Sequence, residues 1–580
     1  MRKALMTGNE AIARGAWEHG VLIATGYPGT PSTEILENAV KYREINAQWS
    51  PNEKVALEVA IGASIGGSRA LCAMKHVGVN VAADPLFTFS YTGVNGGLVL
   101  ISADDPGMHS SQNEQDNRYY ARFAKIGLLE PADSQEAKDM VGHALELSER
   151  FDVPMMVRTT TRISHSKSLV ELADRIERTV KPYVKDIAKY VAAPANAKVR
   201  HIFVEQRLTE MAAFSEETAL NRIEWGDRQV GVVTSGIAYQ YVKESLPHAS
   251  ILKLGYTNPL PLKKIAAFAE QVEQLWVIEE LEPFMEEQIR AAGIKVHGGK
   301  AQLTNIGELT PSMILQAVTG QSMDNGRSAA QVPVRPPALC PGCPHRGVFH
   351  VLRNQRKIVP GDIGCYTLGA SPPLSAMDTT ICMGASIPSG TGLEKAHPEL
   401  ADRIVSVIGD STFLHSGITG LVDAVYNQAT TTVIILDNSI TAMTGHQHHA
   451  ATGFTLRGEP TNKVDFEALC RAIGVRRVRT VDPGDLDAIS QAIKEETAVR
   501  ELSVIIAKRP CALIVKQTEP RIKVLADRCT GCRACMRLGC PAISFANQKS
   551  SIDPALCVGC GLCVQVCKFD AMVPEGSDNS

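Results

Sequence analysis

The C-terminal fifty-odd residues contain eight cysteines arranged in two matching sets. Each set begins with a CxxCxxC run and has a fourth cysteine further along the chain. Three of the four corresponding pairs are 28 positions apart and the last pair is 27 apart, so the segment is an internal repeat whose first copy has one extra residue. The first set is Cys529, Cys532, Cys535 and Cys540, and the second set is Cys557, Cys560, Cys563 and Cys567.

Iron–sulfur clusters explain this tail better than zinc or disulfides do. Zinc sites normally use two CxxC pairs without a third cysteine at the next step, and disulfides need an oxidising compartment. The spacing resembles that of a bacterial two-cluster ferredoxin, in which the fourth cysteine of each run ligates the cluster of the other run. The tail departs from that pattern in the extra residue of its first copy and in Lys568, which stands where proline is usual. The resemblance implies two [4Fe–4S] clusters, one held by Cys529, Cys532, Cys535 and Cys567, the other by Cys557, Cys560, Cys563 and Cys540.

Composition and charge limit the remaining possibilities. With 580 residues, 44% of them hydrophobic and 21% charged, the chain is long enough for about four domains. The formal net charge of −3 gives no indication of nucleic-acid binding, and no apolar run approaches the roughly 18 residues of a membrane helix. Met1 to Glu10 contains no apolar signal region, and fifteen cysteines without such a signal indicate a reducing cytoplasm.

Two short β-branched runs, over 404–408 and 432–436, predict neighbouring strands with a helix over 418–428 between them. In such a βαβ unit, ligands bind at the carboxyl ends of the strands, which is where Asp410 and Asn438 lie. Carboxylate and amide oxygens suit Mg²⁺, which binds together with substrate phosphates. The pattern therefore predicts a diphosphate site.

The turn Gly409-Asp410-Ser411, followed after just under thirty residues by an asparagine at the end of a strand, resembles the thiamine diphosphate motif of the decarboxylase and ketolase superfamily. The resemblance implies that Asp410 and Asn438 supply side-chain oxygens to Mg²⁺ and that Ile440 supplies its backbone carbonyl. It also implies that Gly409 lets the backbone approach the diphosphate and that Ser411 donates to it. The alternative is an α/β turn without a ligand.

Thiamine enzymes also need a glutamate that hydrogen-bonds the aminopyrimidine ring. The segment 51–56, PNEKVA, resembles that element and implies a catalytic role for Glu53, with Glu58 as the second choice. Either glutamate is alternatively a solvated charge on a helix face. Upstream, the segment 26–33, GYPGTPST, resembles the YPxTPS turn of the 2-oxoacid:ferredoxin oxidoreductase family, in which the threonine equivalent to Thr30 lies close to the substrate carboxylate. By local chemistry it is a turn with Ser32 or Thr33 as the N-cap of a helix.

The resemblance to this family covers most of the chain. It implies an α/β thiamin diphosphate-binding fold of two doubly wound parallel-sheet domains and a transketolase C-terminal-like α/β domain, with a C-terminal 2[4Fe–4S] ferredoxin-like α+β domain. Their order, together with the CxxCxxCxxxxCP spacing, resembles the large subunit of the branch that acts on aromatic 2-oxo acids. We predict a pyrimidine-binding domain over 1–222, the transketolase-like domain over 223–322, a linker over 319–337, the diphosphate and Mg²⁺ domain over 338–518 and the ferredoxin-like domain over 519–580.

A third group of cysteines comprises Cys340, Cys343, Cys365 and Cys511. Their order and approximate spacing resemble those of the [4Fe–4S] cluster placed next to thiamine in the pyruvate relatives, which implies a third cluster. The alternative is that they are buried structural cysteines, since free cysteine is among the most buried residue types. Cys72, Cys382 and Cys470 have no partners by spacing, so we expect them in the core.

Two polar segments add weaker candidates. The segment 444–449, TGHQHH, follows the Mg²⁺ loop, and His446 or His448 is a candidate proton carrier because imidazole titrates near working pH. The alternative is a surface histidine tract. After an apolar run over 98–102, Arg118 or Arg122 is a candidate for bidentate binding of a carboxylate.

The family resemblance implies oxidative decarboxylation of a 2-oxo acid, with transfer of the acyl group to coenzyme A and of electrons to external ferredoxin. Indole-3-pyruvate and phenylpyruvate are the expected substrates, and pyruvate, oxoglutarate or branched-chain acids are the alternatives. The small third domain of the family is expected on a smaller beta subunit in an α2β2 complex. An electron-relay subunit with a vestigial thiamine site is a further alternative, although the joint presence of Asp410, Asn438 and Glu53 argues against it. The eight tail cysteines argue against a non-oxidative decarboxylase.

Overall fold

The structure is a computed structural model that describes residues 2–322 and 336–576. The chain divides into two compact units, residues 1–330 and 331–580. Most of the predicted linker over 319–337 lies outside the described residues. Because the two units are coarser than the four predicted domains, the domain boundaries stay predictions.

The first unit alternates strands and helices for most of its length. Its strands are β1 (Arg2–Thr7), β2 (Ile23–Gly26), β3 (Asn46–Trp49), β4 (Ala70–Lys75), β5 (Leu98–Asp104), β6 (Gly127–Leu129), β7 (Met155–Thr160), β8 (Lys167–Leu172), β9 (Asn221–Glu224), β10 (Asp227–Ser235), β11 (Ala249–Leu254), β12 (Tyr256–Asn258) and β13 (Gln274–Ile278). Its helices are α1 (Gly8–Glu18), α2 (Thr33–Ala39), α3 (Glu53–Ile65), α4 (His76–Val81), α5 (Ala83–Thr92), α6 (Arg118–Phe123), α7 (Ser134–Phe151), α8 (Thr161–His165), α9 (Ile187–Tyr190), α10 (Pro194–Glu217), α11 (Gly236–Ser245), α12 (Leu262–Ala269), α13 (Phe284–Ala291) and α14 (Pro311–Thr319).

A seven-stranded sheet, in the order β12-β6-β7-β5-β4-β2-β3, forms the centre of the first unit. All of its neighbouring pairs are parallel except β12 with β6. Every residue of β4 and β5 is buried, as expected for parallel strands covered on both faces. Because β2, β3 and β4 are parallel, their carboxyl ends lie at one edge of the sheet, where Thr30 and Glu53 follow β2 and β3 and Lys75 ends β4.

A second, four-stranded sheet in the order β13-β10-β11-β9 belongs to the same unit. Strands β10, β11 and β13 are parallel, and β9 is antiparallel to β11. The short strand β12 begins two residues after β11 but pairs with β6 of the larger sheet. The chain therefore links the two sheets by a strand as well as by side-chain packing.

Arg118 lies in a buried ionic network of the first unit. Its Nη1 donates to Glu279 Oε2 at 2.6 Å, and its Nε donates to Asp116 Oδ1 at 2.9 Å. The side chain is 1% exposed. The prediction that Arg118 binds a substrate carboxylate is therefore wrong, because carboxylates of the protein already occupy its donors.

The second unit contains a compact α/β region followed by the cysteine-rich tail. Its strands are β14 (Pro360–Gly361), β15 (Thr379–Thr380), β16 (Val405–Gly409), β17 (Thr432–Asp437), β18 (Arg477–Val481), β19 (Ser503–Lys508), β20 (Ile522–Val524), β21 (Ile543–Ala546), β22 (Lys549–Ile552) and β23 (Met572–Pro574). Its α-helices are α15 (His345–Asn354), α16 (Ser386–Ala396), α17 (Asp410–Thr412), α18 (Ile418–Tyr426), α19 (Phe466–Ile473), α20 (Leu486–Thr497) and α21 (Leu562–Val566).

The predicted βαβ unit is confirmed. Strands β16 and β17 are parallel neighbours, helix α18 lies between them in sequence, and the sheet continues as β16-β17-β19-β18. Both strands are entirely buried, which agrees with their β-branched composition. This sheet places Gly409 and Asp437 at the ends of adjacent strands.

Two antiparallel pairs, β20 with β23 and β21 with β22, organise the tail. Its apolar residues share one core cluster with the α/β region, since Leu538 and Leu562 belong to the same cluster as Val407 and Ile434. Arg346 Nη1 also donates to the backbone carbonyl of Leu538 at 2.6 Å. The tail therefore packs against the α/β region within one unit.

Shortening a side chain at the centre of this sheet should destabilise the second unit. Ile434 is fully buried in β17, so Ile434→Ala should lower the free energy of unfolding by about 2–5 kcal/mol, and Ile434→Val by about 0.5–1.5 kcal/mol. Urea denaturation followed by circular dichroism measures both. Val422 is 48% exposed on α18, and Val422→Ala serves as the control. Equal losses at positions 434 and 422 would contradict the assigned core.

Candidate active site

Oxygen atoms converge at the carboxyl edge of the parallel sheet in the second unit. Asp410 directly follows β16, Asn438 directly follows β17, and both side chains are buried. The amide atom of Asn438 that faces Asp410 lies 2.8 Å from the backbone carbonyl oxygen of Ile440 and 3.2 and 3.3 Å from the Asp410 carboxylate oxygens. The backbone N–H of Ser439 donates to Asp410 Oδ2 at 2.8 Å and holds the carboxylate in this orientation.

The convergence of these three residues fits a divalent cation. With the amide nitrogen facing Asp410, Asn438 donates to the surrounding oxygens. With the amide oxygen there, a carboxylate, an amide oxygen and a backbone carbonyl surround one point, which is the type of ligand set that Mg²⁺ prefers. Burial, and after it the nearby Asp410, raises the pKa of Asp437, so a second negative charge is disfavoured here and a cation would offset that effect.

Two histidines border Asp410 and Asn438. Burial lowers the pKa of His345 to about 4, against the opposing effect of Asp410, so the ring is neutral at neutral pH. Its Nε2 lies 3.5 Å from Asn438 Nδ2. His449 Nε2 lies 3.3 Å from Asp410 Oδ2, and its Nδ1 accepts a hydrogen bond from the backbone N–H of Ala451 at 3.2 Å.

In the histidine tract over 444–449, the ring that contacts Asp410 is that of His449, which the sequence did not single out. His446 Nε2 lies 4.0 Å from the Sγ atom of Cys511, and His448 Nδ1 lies 3.2 Å from Thr452 Oγ1. Neither of these contacts is with Asp410, whereas His449 makes one. The tract itself was the available signal, but the fold of the loop decides which of its rings faces the carboxylate.

Gly409 and Ser411 have clear local roles beside Asp410. A Cβ atom at Gly409 would lie 2.6 Å from the ring of Tyr366, so the absence of a side chain lets that ring pack against the strand end. The hydroxyl of Thr441 donates to Ser411 Oγ at 2.9 Å and ties the loop after β17 to the turn after β16.

Glu53 is the first residue of α3 in the first unit. The side chain of Asn52 accepts a hydrogen bond from the backbone N–H of Val55 at 2.9 Å, which caps the helix at this point. Glu53 is buried, and a Cβ atom at Gly78 would lie 2.6–2.9 Å from its side chain. Glu58 is exposed and pairs with Lys54, so its position gives it no comparable environment.

Thr30 lies in the turn between β2 and α2. Its backbone carbonyl accepts a hydrogen bond from Ser110 Oγ at 3.2 Å. Helix α2 begins at Thr33 with Ser32 as N-cap, as predicted, but the Ser32 hydroxyl donates to the carbonyl of Gly29 at 2.8 Å and makes no capping hydrogen bond. The turn is therefore stabilised internally.

The tail cysteines fall into local groups. A cavity of about 410 Å³, including its mouth, is lined by Cys540, Cys557, Cys560 and Cys563. Burial, reinforced by the neighbouring thiols at 560, 557 and 540, raises the pKa of Cys563 to about 12. Burial also raises the pKa of Cys535, with smaller contributions from Cys532 and Cys529. Cys567 Sγ accepts a hydrogen bond from the backbone N–H of Ala571 at 3.4 Å.

The third group of cysteines also lies together. Burial raises the pKa of Cys343 to about 12 and that of Cys365 to about 11, and the thiol of Cys340 adds to both shifts. Burial also raises the pKa of Cys511, and the thiol of Cys340 raises it further. Within the described ranges, no three His, Cys, Asp or Glu side chains converge as the ligands of one metal ion would.

The remaining three cysteines divide between core and surface. Cys72 and Cys470 are fully buried, as predicted. Cys382 is exposed, so the prediction that it lies in the core is wrong. It precedes a tight turn at Gly384, where a backbone φ of +91° and the contact with Ser416 leave no room for a side chain.

Models of three protein families match successive parts of the chain. The thiamine diphosphate-binding model of pyruvate flavodoxin/ferredoxin oxidoreductases matches residues 14–226. The C-terminal TPP-binding domain of thiamine pyrophosphate enzymes matches residues 362–507, and a 4Fe-4S dicluster domain matches residues 521–568. The chain therefore carries thiamine diphosphate-binding domains and an iron–sulfur domain.

Named relatives align with nearly the whole chain. Indolepyruvate oxidoreductase subunit IorA of Archaeoglobus fulgidus is 41% identical over 99% of this chain and 98% of its own length. The subunits IorA of Methanothermobacter thermautotrophicus and Pyrococcus abyssi are each 40% identical over 99% of this chain and over 98% and 97% of their own lengths. The chain belongs to the indolepyruvate oxidoreductase subunit IorA family.

Membership of the IorA family agrees with the predicted α/β thiamine diphosphate fold with an iron–sulfur tail, and it identifies the chain as part of an oxidoreductase. In the described ranges 2–322 and 336–576, no helix is both long and apolar enough to cross a membrane.

A methyl group at Gly78 should disturb Glu53 selectively. Gly78→Ala places a Cβ atom 2.6–2.9 Å from the Glu53 side chain, so the carboxylate must move, and misplacement of a catalytic group by about 1 Å costs on the order of 100-fold in rate. We expect a loss of that size in 2-oxo acid oxidation. Gly392→Ala is the matched control, because a Cβ atom there meets nothing within 4 Å. Full activity of Gly78→Ala would contradict a catalytic role for Glu53.

Proposed function

We propose that this chain is the large, catalytic subunit of an enzyme that oxidatively decarboxylates aromatic 2-oxo acids of the indole-3-pyruvate and phenylpyruvate type. The products are acyl-CoA and CO₂, and two electrons pass to ferredoxin. The observation that carries the proposal is the presence on one chain of the oxygen-lined site at Asp410 and Asn438 and the cysteine-lined cavity of the tail. The names of the IorA relatives support the aromatic substrate.

In this proposal, Asp410, Asn438 and the carbonyl of Ile440 hold Mg²⁺, and Gly409 and Ser411 adjoin the diphosphate. Bound thiamine diphosphate supplies the electron sink that allows a 2-oxo acid to lose CO₂. The residues of the chain position the reactants and move protons around it.

The proton and orientation roles belong to three side chains. Glu53 would hydrogen-bond the aminopyrimidine ring and hold or release a proton there, and Thr30 would orient the substrate carboxylate. Neutral His345 accepts a hydrogen bond from the Asn438 amide, which favours the orientation with the amide oxygen towards the cation.

Clusters on the same chain suit this reaction because oxidation of the decarboxylated substrate to the acyl level releases two electrons, which [4Fe–4S] clusters accept one at a time. We assign Cys529, Cys532, Cys535 and Cys567 to one cluster and Cys540, Cys557, Cys560 and Cys563 to the other. We also assign a third cluster to Cys340, Cys343, Cys365 and Cys511, because the first of these thiols influences the other three and because Cys343 lies two residues before His345.

The proposed complex contains a second chain. The relatives are named as subunits, which supports a smaller beta subunit for this chain in an α2β2 assembly, with ferredoxin as the external acceptor. A chain that depends on cysteine-ligated clusters is suited to a reducing cytoplasm.

Anaerobic dye reduction tests the reaction. The complex with thiamine diphosphate, Mg²⁺ and coenzyme A should reduce a one-electron dye with phenylpyruvate and indole-3-pyruvate and form the acyl-CoA. Asp410→Asn should lower kcat/KM at least about 100-fold, because one anionic ligand of Mg²⁺ is lost. Asp402→Asn, at an exposed position, is the matched control.

Other outcomes of that assay distinguish the alternatives. Reduction with pyruvate, oxoglutarate or branched-chain acids but not with aromatic acids would contradict the proposed substrate. Absence of reduction with every 2-oxo acid, with the partner subunit present, would favour an electron-relay subunit.

Iron and sulfide analysis tests the number of clusters. Three [4Fe–4S] clusters should give about twelve iron atoms per chain, and Cys365→Ala should lower this to about eight. Cys382→Ala should leave the iron content unchanged, because Cys382 is exposed and is not among the assigned ligands. About eight iron atoms in both the wild type and Cys365→Ala would exclude the third cluster.

A further inference from the structure

Lys75 is a buried cation without a counter-ion in the first unit. It is the last residue of β4 and is 8% exposed. Its ammonium donates to the backbone carbonyl of Ser110 at 2.6 Å and contacts the hydroxyl of the same residue at 3.4 Å. In the part of the chain that the structure describes, Lys75 forms no ion pair with a carboxylate. An ammonium has three N–H donors, and the two hydrogen-bond partners of this one both belong to Ser110.

The surroundings make this burial unfavourable for the charge. Burial lowers the pKa of Lys75 to about 8, although the charges of Asp105 and Glu53 oppose the shift. Asp105 is already engaged, since it accepts hydrogen bonds from the backbone N–H of Ser110 at 2.9 Å, from Ser111 Oγ at 2.6 Å and from Thr161 Oγ1 at 2.7 Å. A carbonyl dipole compensates a buried charge less well than a carboxylate does.

Lys75 lies between the two candidate catalytic segments of the first unit. A Cβ atom at Gly29 would lie 3.1 Å from Lys75 Cβ, so the turn that carries Thr30 packs on the lysine. Ser110, which accepts from Lys75, also donates to the backbone carbonyl of Thr30. Glu53 is close enough to affect the ammonium electrostatically.

We propose that Lys75 is a substrate-binding residue whose ammonium pairs with the carboxylate of the 2-oxo acid beside Thr30. The inference rests on the proposed function. A 2-oxo carboxylate is the anion that the proposed reaction consumes. Its negative charge would balance the ammonium of Lys75, which the neutral carbonyl of Ser110 does not. Arg118, one of the two arginines that the sequence suggested for this task, is fully paired with Asp116 and Glu279.

The test compares a charged ligand with a neutral ligand of the same shape. In the thiamine diphosphate-loaded complex, Lys75→Met should raise the KM for phenylpyruvate by about 10- to 100-fold, the range expected for a lost hydrogen bond to a charged group. The inhibition constant of phenylpyruvamide, which has no carboxylate, should change less than about threefold. Lys75→Arg keeps the charge and should recover most of the affinity for phenylpyruvate.

Two further measurements separate binding from folding and from turnover. Titration calorimetry with 3-phenylpropionate, a carboxylate that does not react, should show the same loss in Lys75→Met, whereas the affinity for thiamine diphosphate should be unchanged. Lys54→Met is the matched control, because Lys54 is an exposed lysine beside Glu53.

Each remaining outcome has a definite meaning. Equal weakening of phenylpyruvate and phenylpyruvamide in Lys75→Met, or unchanged binding of both, would overturn the proposal. Equal weakening of both ligands would show that Lys75 only holds the segment around Ser110 in position. Lack of dye reduction by the wild type with every 2-oxo acid would instead contradict the proposed function, so the two failures are distinguishable.

Discussion

The candidate site of the second unit depends on how the buried carboxylate of Asp410 is compensated. Strands β16 and β17 pair in parallel from Val405 opposite Thr432 to Gly409 opposite Leu436, so the residues that follow them meet at one edge. Burying a carboxylate is costly without compensation. The backbone N–H of Ser439 donates to it, the ring of His449 lies 3.3 Å from it, and the Asn438 amide and the Ile440 carbonyl converge beside it. This arrangement fits a divalent cation, and the neutral His345 adds no competing positive charge.

Sequence patterns predicted those features of the fold and the site that depend on residues close together in the chain. The βαβ unit and the placement of Asp410 and Asn438 at strand ends follow from apolar periodicity and turn residues, which act over a few positions. Contacts between distant segments were not predictable in this way. Arg118 meets Glu279 across 161 positions, and His448, which contacts Thr452, is directly followed in sequence by His449, which contacts Asp410. Loop conformation and packing decide such contacts, and a single sequence carries no local signal for them.

The extra residue between Cys535 and Cys540 has a structural explanation. A 3₁₀ turn over Cys535–Leu538 ends at Gly539, which has a φ of +64° and would bring a Cβ atom within 2.7 Å of Pro373. The turn also presents the carbonyl of Leu538 to Arg346, whose guanidinium donates in addition to the carbonyls of Leu339 and Cys340. The lengthened spacing therefore lets the tail dock on the α/β region, and one arginine connects the first tail repeat to the segment that carries the third group of cysteines.

Two buried cations of the first unit illustrate how charge balance separates structural from functional roles. Arg118 is surrounded by the carboxylates of Asp116 and Glu279, and these raise its pKa well above the ordinary value despite burial. Lys75 experiences the opposite net effect, because Asp105 is held by three other donors and the carbonyl of Ser110 is neutral. The carboxylates around Arg118 compensate its buried charge, so its role in the fold is structural. A buried charge that the protein leaves unbalanced reduces stability, and Lys75 is such a charge beside the turn of Thr30, where the proposed substrate carboxylate would balance it.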